Sequence, residues 1–261
     1  MQKLLHVINR PITLFLFQSL AHMALVYAIF TFSMSQLGII FFLYFIGACF
    51  GGTMTYHRLI AHRTWNAPNW YYYLGSLIGA YFLVGSPAGW ANNHIAHHRY
   101  VDTDKDPHCP KKYGFLGILT SMFYAERKIK YVRLNPFQIF LHRYYFLGHI
   151  ILLSVFLLLG GISATVTFYL APSALVWLLP SLVNYFCHLD YGFMGKLGHY
   201  RNAESKDDSH NNVILGYLVF GEGFHNNHHS NPGNPNMGGR RPWEKDLGWF
   251  FIRLLEKKEK V

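Results

Sequence analysis

Two long stretches of this sequence contain no charged residue. Neither Pro11 to Tyr56 nor Tyr144 to Leu189 includes a single Asp, Glu, Lys or Arg, and each stretch is 46 residues long. A membrane-spanning helix needs roughly 20 apolar residues, so each stretch fits two spans joined by a tight turn. We therefore predict an all-α integral membrane protein, multi-pass, with four transmembrane helices arranged as two hairpins in one domain over residues 1–261.

Polar and turn-forming residues within the two stretches set the expected helix boundaries. The first hairpin is predicted at about 11–33 and 38–56 with a break near Met34-Ser35-Gln36, and the second at about 146–169 and 173–189 with a break at Ala171-Pro172. The remaining residues, 57–143 and 190–261, are predicted to form a cap on one side of the membrane.

The basic residues are distributed asymmetrically. All 23 Lys and Arg lie outside the two hairpins. Because cytoplasmic segments of membrane proteins are enriched in Lys and Arg, we expect both termini and the cap to be cytoplasmic. The net charge of +10 then faces anionic headgroups of the membrane lipid. Alternatively, some of these Lys and Arg residues bind a phosphorylated carrier on the substrate. We expect no nucleic-acid partner, and in a bacterium the membrane would be the plasma membrane.

A fifth apolar stretch, from Trp70 to Pro87, is shorter than a comfortable span and contains three glycines. If it crossed the bilayer, it would place His57 and His94 on opposite sides. We therefore predict an interfacial helix that stays on the cytoplasmic side.

Eight of the 16 histidines fall into three clusters. His57 and His62 flank the end of the second predicted span, and two His-x-x-His-His boxes follow, at His94, His97 and His98 and at His225, His228 and His229. Side chains three and four positions apart share one face of a helix, so we expect the first imidazole of each box to meet both later ones. Neighbouring side chains point about 100° apart, which favours a box that bridges two metal ions.

Further residues are candidates for the same site. His188, four residues after Asn184, is a possible additional ligand. Nitrogen ligands without thiolates suit iron, copper, nickel or zinc. Ligating imidazoles need hydrogen-bond acceptors behind them, and the nearby carboxylates that we predict for this role are Asp102, Asp104, Asp106 and Glu222.

Several motifs together resemble the membrane fatty-acyl desaturases of the stearoyl-CoA (delta-9) type. The matching segments are His57-Arg58-Leu59-Ile60-Ala61-His62, Trp90-Ala91-Asn92-Asn93-His94-Ile95-Ala96-His97-His98, Asp104-Lys105-Asp106-Pro107-His108 and Gly221-Glu222-Gly223-Phe224-His225-Asn226-Asn227-His228-His229. The resemblance implies four transmembrane helices under a cytosolic cap and a nonheme centre of two iron ions. It also implies nine metal ligands, which are His57, His62, His94, His97, His98, His188, His225, His228 and His229, and a metal-bound water held by Asn184.

The reaction that this resemblance implies is the O2-dependent introduction of a cis double bond into a saturated acyl chain. Since the sequence carries no fused cytochrome domain, electrons are expected from a separate protein such as cytochrome b5 or a ferredoxin with its reductase. The basic cytoplasmic face would attract an acidic carrier of this kind.

The sequence departs from the family at the second box. The family's usual Trp-x-Arg-Asp-His reads Trp90-Ala91-Asn92-Asn93-His94 here, and the missing Arg and Asp are linked with the acyl-CoA headgroup in the animal enzymes. The acyl carrier is therefore open between CoA, a lipid and an acyl-carrier protein. The family's chain-end positions fall near Phe41 and Phe45, and a bulky Phe45 is predicted to shorten the substrate tunnel.

Two alternative functions remain at this point. A hydroxylase or acetylenase acting on a fatty-acyl chain or lipid would use the same kind of histidine centre. A nonenzymatic membrane metal carrier is a more remote alternative, because it is expected to place ligands along a path within the spans. Most of the boxed histidines lie instead at span ends and in the predicted cap.

Overall fold

The structure is a computed structural model that describes residues 11–120 and 129–257. Those parts of the predicted cap and termini that fall at 1–10, 121–128 and 258–261 lie outside the described residues. In order, the helices are α1 (Pro11–Thr31), α2 (Met34–Phe45, continued by the π-helical segment Ile46–Ala61), α3 (Asn69–Tyr81), α4 (Pro87–Tyr100), α5 (Pro110–Thr120), α6 (Pro136–Arg143), α7 (Tyr145–Thr165), the π-helical segment Val166–Leu170, α8 (Ala171–Phe186), α9 (Tyr191–Lys196), α10 (Val213–Leu218), α11 (His225–Ser230) and α12 (Leu247–Leu255). Among these residues the only β-type pairing is an isolated bridge between Tyr200 and Asn211, so the described chain is all-helical.

Three helical stretches of the described chain are long and apolar enough to cross a membrane. They are Ile12–Thr31, Met34–Ala61 and Tyr145–Phe186. Their outward faces carry many exposed large apolar side chains, as expected for surfaces that contact lipid tails rather than water.

The first chain reversal lies slightly earlier than predicted. Ser33 is the N-cap of α2, where its side chain accepts from the backbone N–H of Gln36 and the Gln36 side chain accepts from the Ser33 N–H, which is a capping box. Met34-Ser35-Gln36 therefore form the first turn of α2 and not the break. At its other end α2 runs on past the expected limit at Tyr56, as far as Ala61.

The second reversal lies at Gly161 and not at Ala171-Pro172, so that predicted break is wrong. Gly161 has φ 64° and ψ −164°, a conformation open to glycine because it has no Cβ. His149 Nδ1 lies 2.8 Å from the Tyr169 hydroxyl, although 20 residues of straight helix would separate them by about 30 Å. The two halves of Tyr145–Phe186 therefore pack side by side.

Helical structure continues through Pro172 because a π-helical turn precedes it. The N–H of Ala171 donates to the carbonyl of Val166, five residues earlier. Such local adjustments accommodate proline inside apolar helices, so the proline that predicted a break does not cause one.

The two reversals meet at one end of the bundle, where the Gln36 side-chain amide donates to the Ser163 hydroxyl at 3.1 Å. Helix α3, at 13 residues, is only about 20 Å long, too short for a span. It packs against the π-helical part of α2 through glycines, since a Cβ on Gly51 would stand 2.7 Å from the backbone nitrogen of Gly79.

Candidate metal centre

Nine histidines converge at the end of the helical bundle opposite the two reversals. They form two groups, and within each group the candidate ligand nitrogens lie within 4.8 Å of one another. The first group is His57, His62, His94, His98 and His228, and the second is His97, His188, His225 and His229. All nine histidines named from the sequence, including His188, are thus brought together.

In the first group the Nε2 atoms face one another in a chain of short contacts. The separations are 3.1 Å for His57–His228, 2.8 Å for His62–His94, 3.1 Å for His94–His98 and 2.8 Å for His98–His228. In the second group His188 and His225 are 3.0 Å apart and His97 and His229 are 3.3 Å apart at the same atoms.

Each histidine box is divided between the two groups, as the expectation that one box bridges two metal ions requires. In each box the first and last histidines, four residues apart, enter one group, while the middle one enters the other group. The expectation that the first imidazole would meet both later ones is therefore wrong. The 100° between adjacent side chains sends His97 away from His98, with ring centroids 5.6 Å apart. Each box contributes to both groups.

The first cluster depends on π-helical geometry. His57 and His62 are five residues apart, a spacing that places side chains on different faces of an α-helix. Here the N–H of His62 donates to the carbonyl of His57 at 3.0 Å, the five-residue hydrogen bond of a π-helix. This wider turn brings both rings to one face, with centroids 4.9 Å apart.

Carboxylates hold four of the rings from behind through their Nδ1 atoms. The pairs are His57 with Glu222 at 2.5 Å, His97 with Asp106 at 2.9 Å, His188 with Asp102 at 3.2 Å and His229 with Asp207 at 3.0 Å. Three of the four predicted carboxylates therefore contact a boxed histidine or His188. Glu222 holds a ring of the first cluster and not one of the third box that it precedes in sequence.

Asp104 and Asp207 are the two carboxylates for which the structure differs from the prediction. Asp104 is exposed, and its backbone carbonyl, not its carboxylate, accepts from Lys112, so the structure does not place it behind a histidine. Asp207 was missed because it lies 22 residues before His229 in a polar loop. Its neighbours in sequence give no signal of the contact.

The protonation pattern of the rings fits metal ions. In a neutral imidazole whose Nδ1–H faces a carboxylate, the Nε2 carries a lone pair, and in both groups the Nε2 atoms face one another. Burial lowers the pKa of His94, His98, His225, His228 and His229 well below its usual range, which keeps these imidazoles in the neutral, ligating form. Converging lone pairs repel unless a cation lies between them. Nitrogens bound at about 2.1 Å to one ion at right angles stand about 3 Å apart, in agreement with the observed separations.

The anchoring carboxylates stay ionised. Burial favours the protonated form of Asp106, yet the adjacent His97 holds its pKa at about 2. The pKa of Asp102 is also lowered, against the effect of burial, by its contact with His188. An ionised acceptor behind a ligating imidazole fixes its tautomer and strengthens it as a ligand.

A cavity opens beside the two groups. His57, His94 and His225 line it together with Asn184, and apolar side chains, among them Ala48, Val84, Val176 and Trp177, make up much of the remaining lining. Asn184 is therefore near the histidines, as expected. The cavity suits an apolar chain that lies against the metal-binding end.

The two phenylalanines considered for the tunnel end lie elsewhere. Phe41 is 58% exposed on the outer surface of α2, and Phe45 packs against Phe50, Phe220 and Phe251, with ring centroids 5.4–5.9 Å apart. Neither is among the residues that line the cavity. Their effect on chain length stays a prediction.

Comparison with known proteins agrees with the motifs. The family model described as fatty acid desaturase matches residues 35–245. The sn-1 stearoyl-lipid 9-desaturase of Anabaena variabilis is 34% identical over 232 residues, covering 86% of this chain and 82% of the relative. The sn-2 palmitoyl-lipid 9-desaturase of Nostoc sp. (strain 36) is 31% identical over 86% of this chain and 80% of its own length. The acyl-CoA C20 Delta5-desaturase of Anemone leveillei is 32% identical over 90% and 75%.

Proposed function

Because the chain belongs to the fatty acid desaturase family and is therefore an oxidoreductase, we propose that it uses O2 to introduce a cis double bond into a saturated acyl chain. The proposed catalytic centre is a pair of iron ions. The observation that carries the proposal is the pair of adjoining histidine groups beside a cavity that several apolar side chains line.

The nine histidines hold the iron pair in this proposal, five in the first group and four in the second. Bound iron supplies the O2 activation that cleavage of an unactivated C–H bond requires. Asp102, Asp106, Asp207 and Glu222 fix the orientation of four of the ligating rings. Asn184, which lines the cavity beside them, is proposed to hold a metal-bound water.

The cavity is proposed to exclude water and to position the acyl chain. Its apolar walls exclude water from the reacting carbons. They also hold the acyl chain in one position relative to the histidines, so the carbon pair that lies closest to the metal site determines the double-bond position. The side chain of Trp177 is fixed in this wall by a hydrogen bond from its Nε1 to the carbonyl of Leu119 at 2.9 Å.

We infer that the substrate is an acyl-lipid in preference to an acyl-CoA. By their names, the relatives from Anabaena variabilis and Nostoc sp. (strain 36) act on a stearoyl-lipid and a palmitoyl-lipid. Asn92, where the animal enzymes have the Arg linked with CoA, is buried, and its side-chain oxygen accepts from the backbone N–H groups of Lys130 and Tyr131 at 2.8 and 3.1 Å. The Asn92 side chain therefore holds the backbone at Lys130 and Tyr131 in place and does not serve as a headgroup contact in this proposal.

The proposed topology has four membrane crossings in one desaturase domain. The reversal at Gly161 divides Tyr145–Phe186 into two crossings, α1 and α2 supply the others, and α3 lies at the interface. The histidines and every Lys and Arg then lie on the cytoplasmic side. A separate electron-transfer protein supplies reducing equivalents there.

The test is expression in a host that lacks this activity, supplied with iron and a competent electron donor, followed by fatty-acid profiling of each lipid class and of the acyl-CoA pool. A new cis-unsaturated chain that appears first in intact lipids supports the proposal. A hydroxylated product would support the alternative of a hydroxylase using the same centre. Stoichiometric zinc with no iron in the purified protein would contradict the proposed redox chemistry.

A further inference from the structure

Two buried carboxylates lie two residues apart near the C-terminal end of the chain, and neither belongs to a histidine box. Glu244 is 2% exposed and Asp246 is 8% exposed. They precede α12, the amphipathic tail helix, which packs against α2. Each carboxylate leads through hydrogen bonds to a different histidine group.

Glu244 accepts five hydrogen bonds. The donors to Oε1 are the Tyr200 hydroxyl at 2.8 Å and the Asn202 amide at 2.6 Å, and the donors to Oε2 are the Asn227 amide at 3.1 Å and the backbone N–H groups of Arg240 at 2.8 Å and Arg241 at 3.1 Å. Every donor is directed at an oxygen, so the site requires both oxygens as acceptors.

The Glu244 network reaches His229 by two routes. Asn227 lies inside the third box, between His225 and His228, and is part of the short helix α11. Asn202 donates to the Asn227 side-chain oxygen at 2.8 Å and begins the loop that carries Asp207, the carboxylate behind His229. Glu244 thus connects the backbone that bears His229 to the loop that holds its Nδ1.

Asp246 leads to the first group. Its carboxylate pairs with the fully buried guanidinium of Arg58, with Nη1 3.0 Å from Oδ2 and Nη2 3.1 Å from Oδ1. Arg58 Nη2 is also 3.6 Å from Glu222 Oε1, and the other oxygen of Glu222 lies 2.5 Å from His57 Nδ1. The same Asp246 carboxylate caps α12 by accepting from the N–H of Trp249 at 3.0 Å.

We propose that Glu244 and Asp246 are positioning residues that support the two metal sites unequally. Glu244 acts mainly on the second group, which includes His225 and His229 of α11, and Asp246 acts mainly on the first group through Arg58 and Glu222. Neither is hydrogen-bonded to a histidine of the two groups. Asp246 acts through Arg58 on Glu222, which lies behind His57, and Glu244 acts through Asn202 and Asn227 on the loop that carries Asp207 and the helix that carries His229. The inference rests on the proposed metal centre and is independent of whether the centre desaturates or hydroxylates.

The experiment is anaerobic titration of the metal-free purified protein with Fe²⁺, in wild type, Glu244→Gln and Asp246→Asn. Loss of an acceptor behind a metal ligand typically weakens binding about 10–100-fold. Glu244 and Asp246 lie one residue further from the ligands, so each variant is expected to weaken binding of one ion of the pair at the lower end of this range, about tenfold, and to change the affinity for the other ion less. Glu256→Gln is the matched control, because Glu256 follows α12 and accepts from the Asn66 N–H with no contact to the histidine groups.

A second readout assigns the weakened site. The iron-loaded proteins are treated with a histidine-acylating reagent, and peptides are analysed by mass spectrometry. Glu244→Gln is expected to expose His225 and His229 to the reagent while His57 and His62 stay protected, and Asp246→Asn is expected to show the reverse.

Asp246→Asn leaves the buried guanidinium of Arg58 without its negatively charged partner, which by itself destabilises the fold. The double variant Arg58→Met, Asp246→Leu removes both charges and is therefore measured alongside it. Asn202→Ala serves as the second variant for the Glu244 network. Equal loss at both sites, or wild-type binding in all variants, would overturn the inference. A wild-type protein that binds no iron pair would overturn the proposed centre and the inference together.

Discussion

At the scale of single residues, the metal-binding character of the histidines is set from outside the histidine motifs. Asp106 holds His97 within nine residues of sequence, but His188 and His229 depend on Asp102 and Asp207, which are 86 and 22 residues away. An imidazole whose Nδ1–H is held by a carboxylate presents its Nε2 lone pair in a fixed direction. The quality of each ligand therefore depends on a long-range contact.

Asp207 provides the residue-scale prediction. Removing its carboxylate in Asp207→Ala releases the ring of His229, and Fe²⁺ affinity at the second group is expected to fall about 10–100-fold. Equilibrium metal titration measures the effect. Asp104→Ala is the matched control, since this exposed aspartate is expected to leave both affinities unchanged. An equal loss in the control would show that general destabilisation is responsible.

At the scale of elements, the π-helical part of α2 is the feature that completes the first histidine group. It aligns His57 with His62, and the same segment faces α3 at close range. The close approach depends on the absence of side chains at Gly51 and Gly79, because a Cβ on Gly79 would stand 2.5 Å from the Tyr56 ring. Packing of α3 thus stabilises the segment that presents the first histidines.

Gly51→Ala is expected to destabilise the protein by about 1–3 kcal/mol, because the added methyl group meets the backbone of α3 and overpacking a tight contact costs this much. Thermal unfolding of the detergent-solubilised protein measures the change. Gly38→Ala is the matched control in the same helix, where a Cβ would meet nothing within 4 Å. It is expected to be neutral or stabilising by up to about 1 kcal/mol, since alanine is the better helix former. A control as unstable as Gly51→Ala would contradict this explanation.

At the scale of the whole molecule, the two reversals at Ser33 and Gly161 lie together and the histidines lie at the opposite end. This arrangement predicts opposite accessibility for the two ends in intact cells. Ser35 and Asn234 are exposed, and the native cysteines Cys49, Cys109 and Cys187 are buried. Ser35→Cys is expected to react with a membrane-impermeant maleimide in intact cells, whereas Asn234→Cys reacts only after permeabilisation. Labelling of both without permeabilisation would refute the proposed topology.

Exposed basic residues surround the outer edge of the first group. Arg63 and Arg99 directly follow His62 and His98, the two partly exposed members of that group. Arg63 donates to the carbonyl of Arg133 at 3.2 Å, and the Arg99 guanidinium lies 5.5 Å from the Tyr131 ring centroid, next to Lys130. These contacts place the basic side chains on one surface beside the proposed metal site.

We expect this surface to receive an acidic electron donor. Arg63→Glu with Arg99→Glu should raise the KM for the donor about tenfold or more at low salt, with a smaller effect at high salt because mobile ions screen exposed charges. Steady-state turnover against donor concentration at two ionic strengths measures this. Lys196→Glu, an exposed change on α9, is the control. A salt-independent loss would indicate damage to the site in place of weaker docking.

The sequence by itself determined which segments are apolar helices and which eight histidines form clusters, and the family resemblance added His188. Absence of charge over 46 residues and dense histidine spacing are local properties, so they can be seen without coordinates. The tertiary structure decided how these parts are arranged. It placed the reversal at Gly161 and not at Pro172, because a π-helical turn accommodates the proline. It decided which histidines of the different boxes share a group, and it brought Asp207 and Glu222 behind rings that are distant in sequence or belong to another motif. Such pairings depend on helical phase and on loops meeting across the molecule, and no local pattern encodes them.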